Sequence, residues 1–418
     1  MNAPLHREIP ASILNAAQAL SQVTAQWDGD IVKQITDYIA IPAKSPMFDS
    51  DWAQHGFIDT VMRNAAAWVE AQKVEGLTLE IVRLEGRTPV LFFEIPASSG
   101  GDLSAAGLPQ GAKAPSGGSA AREAASVGAS PTVLMYGHLD KQPEFSGWRS
   151  DLGPWTPKYE DGKLYGRGGA DDGYAVYASI AAVQALKAQG VEHPRIVGLI
   201  ETSEESGSRD LLPYVDALKT RLGEVALVVC LDSGAGNYDQ LWLTTSLRGS
   251  AAGVLKVEVL TEGVHSGDAS GLVPSSFRIM RQVLDRLEDS KTGRLLPQSF
   301  HCEIPTDRLV QAQATAQILG EEIYKRFPWA HYDCEGASTF TLPTTTDPVE
   351  ALLNRTWRPT LSVTGADGFP ALQDAGNVLR PYTAFKLSLR LPPLIDAAVA
   401  VRELKTLLED NAPYQARV

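Results

Sequence analysis

Apolar residues recur at spacings of three and four between Asp30 and Gln72: Ile31, Ile35, Tyr38 and Ile39, then Phe57, Val61, Ala65, Trp68 and Val69. One apolar stripe per turn predicts two amphipathic helices. The period then shortens. Leu77 to Leu84 and Pro89 to Ile95 are β-branched and aromatic runs separated by Glu85-Gly86-Arg87, which predicts a hairpin-like pair of strands. From Thr132 the order is strand Thr132 to Tyr136, a turn-rich loop, a helix over Tyr174 to Ala188, strand Arg195 to Ile200, a helix over Gly207 to Leu218, and strand Ala226 to Leu231. Continuous apolar strands alternating with helices predict an α/β unit, a mostly parallel sheet covered by helices.

After Arg248-Gly249 the character changes. Strand Gly253 to Leu260, helix Ser275 to Leu287, a long Pro- and Thr-containing connection, strands Thr360 to Thr364 and Thr383 to Leu391, and helix Ile395 to Glu409 give the order β-α-β-β-α. That is a ferredoxin-like α+β layer short of its last strand. Tyr414 to Val418 begins a further strand pattern, so the second unit is expected to be incomplete at its C-terminal end. Two domains result, residues 1–248 and 249–418, in keeping with 418 residues being too many for one ordinary core. Ala97 to Pro131 is Gly, Ala, Ser and Pro with almost no large apolar side chain. It buries too little to offset its ordering entropy and is expected to be a mobile, dispensable insertion.

Charge and cysteine content narrow the function. Lys+Arg 37 against Asp+Glu 50 leaves a net charge of −13, which repels phosphate backbones and anionic head groups. Neither nucleic acid nor a membrane surface is an expected partner. There is no run of eighteen apolar residues and no signal-peptide pattern at the N-terminus. Cys230, Cys302 and Cys334 are odd in number and lack C-x-x-C spacing, which argues against a disulfide framework and a thiolate zinc site and fits a cytoplasmic setting.

The acids and histidines gather where predicted strands end. His138 and Asp140 follow TVLMY two residues apart, a spacing that suits a ligand and the group that orients it. Alone, His-x-Asp is as well explained by a hydrogen-bonded loop histidine. Gly166 to Gly173 is a glycine-rich turn ending in Asp171-Asp172; two carboxylates would repel a phosphate, and no Lys-Ser/Thr follows as in a P-loop. An Asp N-cap with a solvated neighbour is the plain alternative, and it suits Asp172 better than Asp171, since one cap suffices. RIVGLI runs into Glu201, Glu204 and Glu205, whose crowding calls for a metal or a proton, and ALVVCL runs into Asp232. Each alone could be solvated surface. Together they lie where open α/β sheets place ligands, and one imidazole with several carboxylates suits zinc, manganese or cobalt, with enough acids for two ions sharing a water.

GHLDKQP, DGKLYGRGGADD, ETSEESGS, CLDS and GVHSG, in that order and spacing, resemble the M20 metallopeptidases, most closely their carnosinase-like dipeptidase branch. The resemblance runs from about Ile31 to the chain end, apart from the insertion. It implies a zinc-peptidase-like catalytic domain carrying an inserted lid or dimerisation domain, two divalent ions (zinc, or manganese or cobalt), and hydrolysis of amide bonds in dipeptides or short peptides by a homodimer formed through the lid. By the same resemblance His138 and Asp232 bind one ion, Glu205 the other, and Asp171 both. Asp140 orients His138, Glu204 is the general base, and His265 and Arg358 bind substrate. His6, His55, His193, His301 and His331 lie outside every motif.

Two departures bear on these expectations. Relatives usually read Asp-x-Lys-Gly where this chain has Asp171-Asp172-Gly173-Tyr174. The family also returns to its catalytic domain after the small one, with a final histidine for the second ion; no histidine follows Arg390 here, so the second site is expected to be incomplete and the chain weakly active or inactive. An N-acyl or N-carbamoyl amino acid amidohydrolase and a non-catalytic binding protein on the same fold are the alternatives.

Overall fold

The computed structural model describes residues 14–98, 131–334 and 337–418. It contains two compact units, Met1–Gly234 and Ala235–Val418. In the first, strands β1 (Thr78–Val82), β2 (Val90–Ile95), β3 (Thr132–His138), β4 (Arg195–Glu201) and β5 (Val225–Cys230) form one sheet in the order β1-β2-β4-β3-β5. The β3–β4 and β3–β5 ladders are parallel, while β1–β2 and β2–β4 are antiparallel, so the sheet is mixed. Its parallel members are the strands followed by the acidic loops.

Helices α1 (Ala16–Gln26), α2 (Val32–Ile39), α3 (Phe57–Ala71), α4 (Ala175–Ala188) and α5 (Leu211–Leu222) accompany the sheet. Alternation along β2 sends Phe93 into a core with Ile39, Met62 and Ile180, and Phe92 into a second core with Leu199, Tyr214 and Leu218. Both rings are fully buried, each contributing about 1.5–3 kcal/mol. Phe93 pairs with Gly198, where an added Cβ would stand 1.9 Å from the ring. Gly198→Ala is therefore expected to destabilise the protein by about 1–3 kcal/mol, read as a lower urea midpoint at an unchanged slope. An unchanged midpoint would show that the ring has room to move.

The helix α1 carried no periodic signal, because none of its residues is fully buried. It is held by polar contacts: the Asn15 side chain caps it, and Gln26 donates to Gln72 (3.2 Å) and Gln184 (2.6 Å).

The second unit has an antiparallel sheet in the order β7-β8-β6, made of β6 (Gly249–Glu258), β7 (Thr360–Asp367) and β8 (Tyr382–Leu391). Helices α6 (Ser276–Leu284), α7 (Thr306–Leu319), α8 (Pro348–Thr356) and α9 (Ala397–Glu409) belong to it, and residues of α6 and α9 share a core with Val257, Leu387 and Leu389. The stretch expected to be a long connection contains α7, α8 and a hairpin pairing His331–Cys334 with Ala337–Phe340. In α7 only Ala316 is fully buried, so there was no apolar stripe to read.

Tyr414 to Val418 does not form the expected strand. Pro413–Gln415 is a 3₁₀ turn in which Tyr414 and Gln415 take φ of +58° and +56°, and pairing is reduced to a single bridge between Glu258 and Arg417. Left-handed residues interrupt a ladder. Of the expected insertion, residues 99–130 lie outside the described residues. Among the described residues no helix is long and apolar enough to cross a membrane.

Candidate metal centre

His138 is the last residue of β3, paired in register with Glu201 of β4, and is completely buried. Its Nδ1 donates to the Asp140 carbonyl (3.0 Å), and the Asp140 carboxylate lies 3.5 Å from the same nitrogen. A carbonyl can only accept, so Nδ1 carries a proton, and Nε2 is the nitrogen that faces the cluster and would offer its lone pair once its own proton is displaced. Around Nε2 stand Asp171 (3.2 Å), Asp232 (3.6 Å) and Glu204 (3.9 Å). Nε2 is nevertheless a buried atom with no hydrogen-bond partner.

Among the described residues, two sets of three offer ligand atoms within 4.8 Å of one another: His138, Asp171 and Asp232, and His138, Glu204 and Glu205. The fold brings these together because β4, β3 and β5 are neighbours running the same way, so their ends and the turn before α4 meet at one edge. Asp140 links the pieces. Its two carboxylate oxygens accept from the backbone N–H groups of Glu204 (3.1 Å) and Glu205 (3.0 Å), tying the acidic loop to the His138 turn. Asp171 is exposed and Asp232 half-buried, so the cluster opens to solvent on their side.

One imidazole faces a surplus of carboxylates, and the charges respond. Burial disfavours charge on His138, yet Asp140, Asp171 and Asp232 outweigh it and hold the imidazole well above the usual histidine range. His138 in turn holds Asp171 below the usual carboxylate range. Burial raises Glu204, and pushes Glu205 up to about 7 despite a hydrogen bond from Gln142. Burial also lifts Asp172 to about 7. A field that favours a proton on Nε2 favours a divalent cation there equally, and the nitrogen-and-carboxylate donor set fits such an ion. His138 and Glu205 would both have to release a proton to bind a cation, so apparent zinc affinity is expected to fall as the pH is lowered, Glu205 adding its share through about 7. Competition titrations at several pH values would check this; affinity independent of pH between 6 and 8 would remove Glu205 from the set.

His265 and Arg358 belong to the second unit. His265 is exposed on a short strand, Val264–His265, with Nδ1 accepting from the Gly267 N–H (3.1 Å). Arg358 is engaged by Glu350 (2.6 and 3.2 Å) and Asn354 (2.7 Å).

Three further side chains shape the centre: Glu201, which the sequence grouped with the crowded acids, and Lys141 and Gln142, which it did not single out. Glu201 is buried and satisfied by hydroxyls, accepting from Tyr136 (2.7 Å), Ser208 (2.8 Å) and Ser203 (2.9 Å). Lys141 and Gln142 stand inside the motif GHLDKQP, where they read as loop polarity. The departure at Gly173 has a steric cause: an added Cβ would lie 2.1 Å from the Tyr38 ring, so no lysine fits there.

A sequence profile described as peptidase family M20/M25/M40 matches residues 134–388, a span that contains every residue of the cluster. The chain belongs to this family. M20 peptidases depend on two metal ions, and the cluster supplies residues able to hold them. The human Beta-Ala-His dipeptidase is 30% identical over 298 residues, covering 68% of this chain and 55% of that protein. The cysteinylglycine-S-conjugate dipeptidase of Corynebacterium striatum is 28% identical over 295 residues, covering 70% of this chain and 60% of its own length. The matches thus span little more than half of these relatives. The crystal structure of human carnosine dipeptidase 1 superposes with a TM-score of 0.62 over 96% of this chain and 77% of its own, at 23% identity, and shows that the M20 fold is shared.

Proposed function

We propose that the chain hydrolyses the amide bond of dipeptides or similarly short peptides with the help of two divalent cations, zinc first among them. The observation that carries this reading is the buried, unpartnered Nε2 of His138 aimed at Asp171 and Asp232. His138, Asp171 and Asp232 would hold one ion, and Glu205 with the shared Asp171 the other. Bound divalent cations supply Lewis-acid polarisation of the scissile carbonyl and make water easier to deprotonate.

The remaining steps fall to the protein's own side chains. Glu204, its carboxyl raised by burial, takes the proton from the attacking water and returns it to the leaving amine. Asp140 keeps the His138 ring in register and, through the amides of Glu204 and Glu205, fixes base and ligand relative to it. His265 and Arg358 are assigned to substrate binding; Arg358 would exchange Glu350 for a substrate carboxylate. The names of the two dipeptidases similar to this chain support the substrate class. A net charge of −13 supports small substrates over nucleic acid or membranes. We read residues 249–418 as the lid and homodimerisation domain, and the free thiols of Cys230 and Cys302 as favouring the cytoplasm.

The test is turnover by the purified chain, with added zinc or manganese, of dipeptides beside their N-acylated counterparts. Hydrolysis confined to substrates with a free α-amine supports the dipeptidase reading. Hydrolysis confined to acylated ones would move the chain to the amidohydrolases, and tight metal binding without turnover would leave a binding protein.

A further inference from the structure

Lys141 follows Asp140 and is completely buried, an unusual position for a lysine. Carbonyl oxygens hold its amine. Nζ donates to the backbone carbonyls of Tyr38 (2.7 Å) and Ile41 (2.7 Å), with Ile39 at 3.4 Å, and stands 3.8 Å from the centre of the Tyr38 ring. Tyr38 and Ile39 end α2 and Ile41 lies just beyond it, so Nζ adds a donor at the helix end to carbonyls that also take backbone N–H groups, Ile41 to Tyr38 (3.1 Å) and Ala43 to Ile41 (2.8 Å). The Tyr38 hydroxyl reaches the opposite way, donating to the Leu139 carbonyl (3.1 Å). The end of α2 and the turn His138–Lys141 are therefore fastened by reciprocal contacts.

The lysine stem makes a third connection. A Cβ on Gly168 would lie 2.8–2.9 Å from Cγ, Cδ and Cε of Lys141, so the stem lies directly against the glycine turn. That turn is closed by a hydrogen bond from the Gly173 N–H to the Gly168 carbonyl (2.9 Å), and it delivers Asp171.

We infer that Lys141 is a positioning residue for the metal centre, setting the spacing between the His138–Asp140 turn and the loop that carries Asp171. This rests on the metal-site reading above. Lys141 stands outside both candidate ligand sets. It acts by holding α2, the His138 turn and the glycine turn at fixed separation, so that Nε2 of His138 and Oδ1 of Asp171 meet at 3.2 Å. A lysine serving only to cap α2 would affect stability and leave the ligand geometry alone.

The two roles separate in a zinc competition titration against a chromogenic chelator, run on the full chain beside thermal melts. Lys141→Met keeps the stem and removes the donors. It is expected to weaken zinc binding by about 10–100-fold, the usual loss when a group supporting a ligand is removed. Tyr38→Phe keeps the lysine and removes only the bond to Leu139, and is expected to shift affinity in the same direction by less. Zinc affinity unchanged in Lys141→Met, whatever its melting temperature, overturns the inference. If Lys141→Met fails to fold, Tyr38→Phe decides alone: weaker zinc binding supports the role and unchanged binding overturns it. Wild-type protein that binds no zinc would remove the metal-site reading and this inference together, whereas wild-type binding with unaffected variants removes only the inference.

Discussion

Glu204→Gln protein is expected to retain bound metal while its hydrolysis falls by about 10²–10⁴-fold. The amide keeps the shape of the carboxyl group and removes its capacity to take a proton. The backbone N–H of Glu204, which donates to Asp140, is unaffected, so the loop should stay in place. The check is metal content by elemental analysis beside kcat on a dipeptide. The comparison variant is Glu205→Gln, which is expected to lose metal first because Glu205 is the proposed ligand of the second ion; Glu204 and Glu205 both stand in the set with His138, so the two variants together assign base and ligand. If Glu204→Gln stripped the metal and Glu205→Gln did not, the roles of the two residues would be exchanged.

A larger loss of metal is expected from Asp171→Asn. Asp171 is the acid nearest to His138 Nε2 and the one shared between the two proposed ions. Replacing it halves neither site but weakens both, because a neutral amide oxygen contributes no charge to either. Both bound ions are expected to be lost on dialysis at neutral pH, with turnover falling below detection. The variant should fold normally, since Asp171 is exposed. Retention of full metal stoichiometry by a folded Asp171→Asn protein would contradict the shared-ligand assignment.

The cluster was legible in the sequence because each member sits where an apolar run gives way to polar turn residues: TVLMY before Gly137-His138, RIVGLI before Glu201, ALVVCL before Asp232. Parallel neighbours convert that linear regularity into one spatial edge. The supporting residues have no such marker. Lys141 reads as surface until α2 is seen to cover it, and Glu201 reads as one more acid until Tyr136, Ser203 and Ser208 are seen to surround it. The pairing of β2 with β4 joins segments far apart in sequence through a register that no local pattern records. The helix α7 was missed for the opposite reason, since it forms with almost no buried face.

The opposite destinations of Phe92 and Phe93 turn β2 into a ruler for chemistry that takes place two strands away. A slip of one residue would exchange the two rings between cores, so only one register is tolerated. That register fixes β4 through Phe93 and Gly198, and β4 fixes β3 through Glu201 and His138. Errors of alignment in the hairpin would therefore be read out as misplaced imidazole, and substitutions there should masquerade as active-site defects although no hairpin side chain belongs to the cluster.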